Sequence, residues 1–298
     1  MPKTGTTTLQ ADVFPYICSI SDYQYLGLFQ PHRKIKQTWV MSKLHRWMMY
    51  GEGEADLFFE LENATKNSPV IISNETILSS NFHSSWKMRI LRLERLVKHF
   101  DFQVYITIRE PVGAMHSYFC EHFLDSPEVH RSSFLEELKH GNLLQIYKYS
   151  KSIPYIEDTL KTELVIEAYE EIFANNDSGF LSSLVQDANP FPEDVGQHNL
   201  KQRSDGGVVF EKTTLRDTLR RRVYASPLGR NALSRKVIAS LSKVTKSLDL
   251  VQMQPVKIPA LTSQEIALLR VELQAELDFV KARYGIRFPV PALQTTSG

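Results

Sequence analysis

Gln103-Val104-Tyr105-Ile106-Thr107-Ile108 alternates as a half-buried strand does, or as a parallel strand buried on both faces. It runs without a break into Arg109-Glu110-Pro111-Val112-Gly113-Ala114-Met115-His116-Ser117-Tyr118-Phe119. Proline suits the first turn of a helix, where its missing N–H has no partner to lose. Arg109 therefore stands at the carboxyl end of a strand and Ser117 on the helix that follows. Ligands of open α/β sheets bind at that edge. An arginine at the strand end and a serine along the next helix can hold one dianion from two sides, the arginine through paired hydrogen bonds. An ordinary strand–helix junction with one solvated arginine would use the same residues.

Working outward, Pro69-Val70-Ile71-Ile72-Ser73 reads as a short buried strand and Leu164-Val165-Ile166-Glu167 as another. The segment 38–50 reads as a helix anchored by Trp39, Leu44, Trp47 and Met48, and 86–100 as an amphipathic helix rich in Arg and Lys. Strands at 70–73, 103–108 and 163–167 separated by helices predict an α/β fold with a parallel sheet flanked by helices. The 298 residues suffice for one α/β domain, 1–298, whose C-terminal region from about residue 208 reads as basic and helical.

Near the start, Pro2-Lys3-Thr4-Gly5-Thr6-Thr7-Thr8-Leu9-Gln10 forms a glycine-centred anion cradle. Gly5 permits a tight turn, and the run from Thr6 reads as a helix start, whose free N–H groups and dipole favour a phosphate or sulfate. Lys3 adds a point charge, and Thr6, Thr7 and Thr8 add hydroxyl donors. The usual nucleoside-triphosphate loop has its lysine after the glycines; here it comes before. A helix merely capped by threonine is the plainer alternative.

The two strings together resemble the sulfotransferase family that uses 3′-phosphoadenosine 5′-phosphosulfate, in particular its bacterial and carbohydrate-type members. That family carries a P-K-[ST]-G-T-[TS] loop for the 5′-phosphosulfate and an R-[DE]-P-x(5)-S string for the 3′-phosphate. Lys3 through Thr7 match the first, and Arg109 and Ser117 match the second in order and spacing. A third string, Leu164 to Ile172, is similar to the family's strand ending in Y-E-[DE], which implies that Tyr169 contacts the adenine. A core tyrosine beside a hydrated acidic turn is the alternative there. The stretch from Thr262 to Phe288 looks like the family's long terminal helix, so the resemblance covers most of the chain.

The resemblance implies a P-loop-like sulfotransferase fold, a donor nucleotide held by Lys3, Thr4, Gly5, Thr6, Thr7, Thr8, Arg109, Ser117 and Tyr169, and transfer of a sulfuryl group to an acceptor hydroxyl. Arg203 is the nearest candidate for a further 3′-phosphate contact. Family members lead into the loop with a buried strand, and only Met1 and Pro2 precede Lys3, which implies a first strand cut short. Lys3 would neutralise the leaving phosphate. Glu75, after the strand at 70–73, is the first candidate base for the acceptor hydroxyl, and His83 the second. Glu75 read simply as a carboxylate at a helix start is equally consistent. Two other classes stand as alternatives: a nucleotide-dependent kinase, and a non-catalytic nucleotide- or glycan-binding relative.

Composition sets the remaining bounds. A net charge of +1 excludes bulk attraction of polyanions, so nucleic acid is not an expected partner. Arg220-Arg221-Arg222, Arg230, Arg235 and Lys236 concentrate positive charge locally, either as a solvated helix face or as a rim for an anionic glycan acceptor. Two cysteines, Cys18 and Cys120, make no disulfide framework and suggest a reducing, cytoplasmic setting. Neither they nor the nine histidines have metal-ligand spacing, so no metal is expected. No apolar run is long enough to cross a membrane.

Overall fold

The computed structural model describes residues 6–27, 39–79, 84–115, 117, 144–186, 188–193, 195, 203–204, 207–209, 257–259 and 262–288. Contacts group the chain into two compact units. The first comprises Met1–Met115, Glu137–Asn199 and Ala267–Gly298; the second comprises His116–Glu136 and Leu200–Ile266.

The first unit is α/β and mostly helical. It opens with α1 (Thr6–Thr8), a π-helical stretch (Leu9–Val13) and α2 (Phe14–Ile20), which follow one another as a single run. The π turn, closed by the Phe14 N–H on the Leu9 carbonyl, lets Leu9, Val13, Phe14 and Ile17 all bury on one side. Then come β1 (Gln24–Tyr25), α3 (Trp39–Tyr50), α4 (Glu54–Thr65), β2 (Val70–Ile71), a 3-10 turn (Glu75–Leu78), α5 (Trp86–Phe100) and β3 (Val104–Ile108). A 3-10 turn (Gln145–Tyr147), α6 (Tyr149–Leu160), β4 (Leu164–Ala168), α7 (Tyr169–Asn175) and α8 (Gly179–Ser183) follow.

Strands β3 and β4 pair in parallel over five residues, from Val104↔Leu164 to Ile108↔Ala168. Strand β2 instead pairs in parallel with β1, through Gln24↔Val70 and Tyr25↔Ile71. The three strands expected to share one sheet are thus divided between two parallel pairs among the described residues. Val70 and Ile71 are half-buried, not buried. A cavity of about 490 Å³ is lined by Val70, Ile71 and Ser73, by Val104 and Ile106, and by Thr6 and Glu75.

Local chemistry sets the helix limits. Ser85 caps α5 by accepting the Met88 N–H at 3.3 Å. The helix stops at Asp101, which takes a left-handed conformation (φ 53) and donates its N–H to the Val97 carbonyl at 2.9 Å. In α3, Leu44, Trp47 and Met48 are buried as anchors, but Trp39 is 69% exposed and anchors nothing. It stands at the first residue of the helix, off the stripe that meets Leu57 and Leu61 of α4.

In the second unit, β5 (Arg203–Ser204), β6 (Gly207–Val209) and β7 (Lys257–Pro259) form an antiparallel sheet in that order. Val208 and Val209 are therefore strand, where a basic helical region was expected to begin. The arginine cluster at 220–222 and the basic residues to 236 lie outside the described residues. A long helix, α9 (Ser263–Tyr284), closes the sequence of elements. It starts with a capping box: the Glu265 carboxylate accepts the Thr262 N–H at 2.7 Å, and the Glu265 N–H reaches Thr262 Oγ1 at 3.2 Å. Among the described residues no helix is long and apolar enough to cross a membrane.

Glu276 of α9, 7% exposed, accepts the Ser150 N–H at 2.6 Å and so satisfies an otherwise open donor in the first turn of α6. Glu276→Ala should lower stability by about 1.5–3 kcal/mol, the range for hydrogen bonds to charged groups. The check is a fall in the denaturation midpoint with Glu276→Gln in between.

Candidate functional site

Because Ile108 and Ala168 are partners, Arg109 and Tyr169 leave adjacent parallel strands side by side. The guanidinium carbon of Arg109 lies 5.1 Å from the centre of the Tyr169 ring, a cation–π contact. Arg109 Nε is 3.5 Å from Glu170 Oε1. That oxygen also accepts the Glu110 N–H at 3.1 Å. Glu110 turns its own carboxylate the other way: Oε1 accepts the Val112 N–H at 3.2 Å and Oε2 the Gly113 N–H at 2.6 Å. Residues 111–115 are helical as the Pro111 reading predicts, and Glu110 is their N-terminal anion.

Tyr149, fully buried at the start of α6, fixes the Arg109 backbone. Its hydroxyl donates to the Arg109 carbonyl at 2.7 Å and receives the Arg109 N–H at 3.5 Å. Burial raises the Tyr149 pKa, so the phenol keeps the proton it donates. Burial also raises the pKa of Glu170, and the Glu110 carboxylate adds to the rise. Backbone N–H donors and the Arg109 charge oppose it.

A second cluster joins residues 69 positions apart. Thr6 Oγ1 donates to Glu75 Oε2 at 2.6 Å. Four residues on, Gln10 Nε2 donates to Ser73 Oγ at 3.0 Å, so the first helical run is tied twice to the segment after β2. The turn bearing Glu75 is built locally: Asn74 Oδ1 accepts the Thr76 N–H at 2.9 Å and the Thr76 hydroxyl at 2.7 Å. Arg89 of α5, wholly buried, holds the same turn by donating to the Thr76 carbonyl, to Ser79 Oγ at 2.9 Å and to the Ser84 carbonyl at 3.1 Å. Glu75 is thus a helix-start carboxylate and a partner of Thr6 at once.

The residues read from sequence divide as follows. Thr6 and Glu75 are bonded, and Arg109 and Tyr169 are in contact. Thr7 is half-buried and Thr8 is 7% exposed. Ser117 is helical and half-buried in the second unit, and the backbone of Arg203 pairs with Val208. Lys3, Thr4, Gly5 and His83 lie outside the described residues, as does the segment where a truncated first strand was expected. Glu170 and Tyr149 are the site residues that sequence reading missed. Glu170 lay inside the quoted Y-E-E string as part of an acidic turn, whereas nothing in the sequence around Tyr149 marks it.

Among the described residues no group of three or more His, Cys, Asp or Glu is arranged to hold a metal ion. Burial pushes the Cys18 thiol up to about 11, which leaves it protonated at neutral pH. No family model, curated protein or solved structure matches the chain.

Tyr149→Phe keeps the packing but removes the buried donor to the Arg109 carbonyl. A melting experiment should show a loss equivalent to about 1–3 kcal/mol, the cost of leaving a buried acceptor without a partner.

Proposed function

We propose that the chain is a sulfotransferase with the P-loop-like fold of the family it resembles, moving a sulfuryl group from 3′-phosphoadenosine 5′-phosphosulfate to an acceptor hydroxyl. The observation that carries the reading is the contact between Arg109 and Tyr169, residues from two separate family motifs that the β3–β4 register sets side by side. An aromatic face suits a purine base, and a guanidinium suits a phosphate oxygen pair. The bond between Thr6 and Glu75 supports the reading a second time, since it joins the loop string to the candidate base.

The donor supplies an activated sulfuryl group. Glu75 takes the proton of the acceptor hydroxyl as its oxygen attacks sulfur, while Lys3 and the N–H groups of the loop hold the departing phosphate's charge. Thr6 keeps the Glu75 carboxylate oriented until an acceptor replaces that bond. Arg109 holds the 3′-phosphate, and no residue is required to bind a metal. A cytoplasmic setting fits the cysteine count, and an anionic glycan is a fitting acceptor for the basic region.

Thermal-shift titration with 3′-phosphoadenosine 5′-phosphate against ATP tests the class. Stabilisation by the former supports the sulfotransferase; preference for ATP supports a kinase. A sulfate-transfer screen over glycans, phenols and lipids then separates an enzyme from a binding relative.

Arg109→Ala should weaken the 3′-phosphorylated nucleotide about 10- to 100-fold, with little effect on its 3′-dephosphorylated analogue, since charge-assisted hydrogen bonds contribute about 1.5–3 kcal/mol. Equal losses on both nucleotides would remove the arginine from that contact. Glu75→Gln preserves shape and should lower turnover about 10²–10⁴-fold, the usual contribution of a general base, with nucleotide affinity nearly unchanged. Steady-state kinetics across acceptor concentrations reads both quantities.

A further inference from the structure

Arg109 already has a carboxylate beside it, and that carboxylate is poorly placed to remain charged if a second anion arrives. Glu170 Oε1 is shared between Arg109 Nε at 3.5 Å and the Glu110 N–H at 3.1 Å. Its other oxygen, Oε2, is buried with no hydrogen-bond partner among the described residues. Among the described residues, the charged and titratable groups facing it are Arg109 and Glu110 from the segment after β3, and Tyr149 from α6. On its own helix Tyr169 carries Arg109 on its ring, and Glu171 is exposed. Glu110 gives no relief, because its carboxylate is a second negative charge committed to the Val112 and Gly113 N–H groups. Arg109 is the only positive side chain among these groups.

We propose that Glu170 is a positioning residue for Arg109 that takes up a proton when a phosphate binds the guanidinium. The inference rests on the nucleotide reading given above. In the empty protein the carboxylate holds Arg109 over the Tyr169 ring. A phosphate dianion draws the guanidinium's charge toward itself and adds negative charge to a half-buried corner. Protonation then costs less than keeping three anionic groups around one cation. The proton comes from solvent and goes to Glu170 Oε2, which in the neutral acid can donate a hydrogen bond, and no other bond is made or broken.

The sign follows from linkage. A group that gains a proton on binding makes the affinity fall as pH rises through the interval between its free and bound pKa values. Burial has already moved Glu170 upward in the free protein, so the interval begins above the ordinary glutamate range. The second ionisation of a phosphate monoester lies near pH 6, so measurements above pH 7 leave the ligand dianionic.

The test is calorimetry of the full chain with 3′-phosphoadenosine 5′-phosphate at pH 7 to 8, in buffers of different ionisation enthalpy. Wild type should take up as much as about one proton per nucleotide, and its affinity should fall by up to about tenfold per pH unit. Glu170→Gln keeps the acceptor for the Glu110 N–H but cannot titrate. It should take up no proton and bind at pH 8 at least as tightly as wild type, with a flat pH profile. A merely structural glutamate would instead weaken binding at every pH when changed. Binding to wild type without proton uptake overturns the proposal and leaves the nucleotide reading intact, as does uptake that persists in Glu170→Gln. Failure of wild type to bind the nucleotide overturns both.

Discussion

The register of β3 on β4 is the constraint on which the site depends. Side chains alternate along a strand, so a slip of one residue would send every side chain of β3 to the opposite face. Five consecutive partners hold the register, with Ile106 and Ile108 buried on one strand and Leu164 and Ala168 on the other. Only in this register do Arg109 and Tyr169 emerge together. Tyr149 then pins the Arg109 backbone through both its carbonyl and its N–H. The pin rests in turn on α6, whose first turn is satisfied by Glu276 from α9, more than a hundred residues away in sequence. Thus the terminal helix supports the arginine through α6 and Tyr149.

Electrostatics in this corner differ in kind from the ion pairs elsewhere. Arg46 and Glu52 form a pair with both side chains more than half exposed, where water screens the attraction and the gain is about 0–1 kcal/mol. Arg109 and Glu170 are 33% and 20% exposed, so desolvation and attraction are both larger there. Such a pair adds little net stability. What it adds is orientation, because a guanidinium stacked on a ring and pulled at Nε has few other positions. The two carboxylates divide the work, Glu110 serving the helix that begins at Pro111 and Glu170 serving the arginine.

Much of this was legible in the sequence where the local signal is long. Alternation over 103–108 gave β3, the 86–100 periodicity gave α5 to the residue, and the stretch from Thr262 read as a long terminal helix, although its capping box went unread. Short elements escaped. Gln24–Tyr25 is a two-residue strand with no alternation to detect, and it takes β2 as its partner. Trp39 shows that an apolar residue at a helix start need not be an anchor, because its place on the stripe is settled by the neighbouring helix. For the candidate site, Arg109, Tyr169 and Glu75 were visible as residue types at element ends. Their mutual contacts were not, since these depend on pairing between segments about sixty residues apart. Tyr149 carried no signal at all, because its role is to a backbone carbonyl, which any sequence possesses.

The two clusters also differ in how each can change. Thr6 and Glu75 are joined by one side-chain bond between a hydroxyl and a carboxylate, and both line the same cavity. An incoming acceptor hydroxyl would give the Glu75 carboxylate a hydrogen bond of the same kind, so it can replace Thr6 at small net cost. The turn behind Glu75 is far harder to move. Arg89 is wholly buried and binds that turn at the Thr76 carbonyl and at Ser79 Oγ, and leaving a buried guanidinium unsatisfied costs several times more than one surface bond. Glu75 is therefore a carboxylate with an exchangeable partner on a fixed base. That is the combination a general base requires, because its proton acceptor must be available while its position is not.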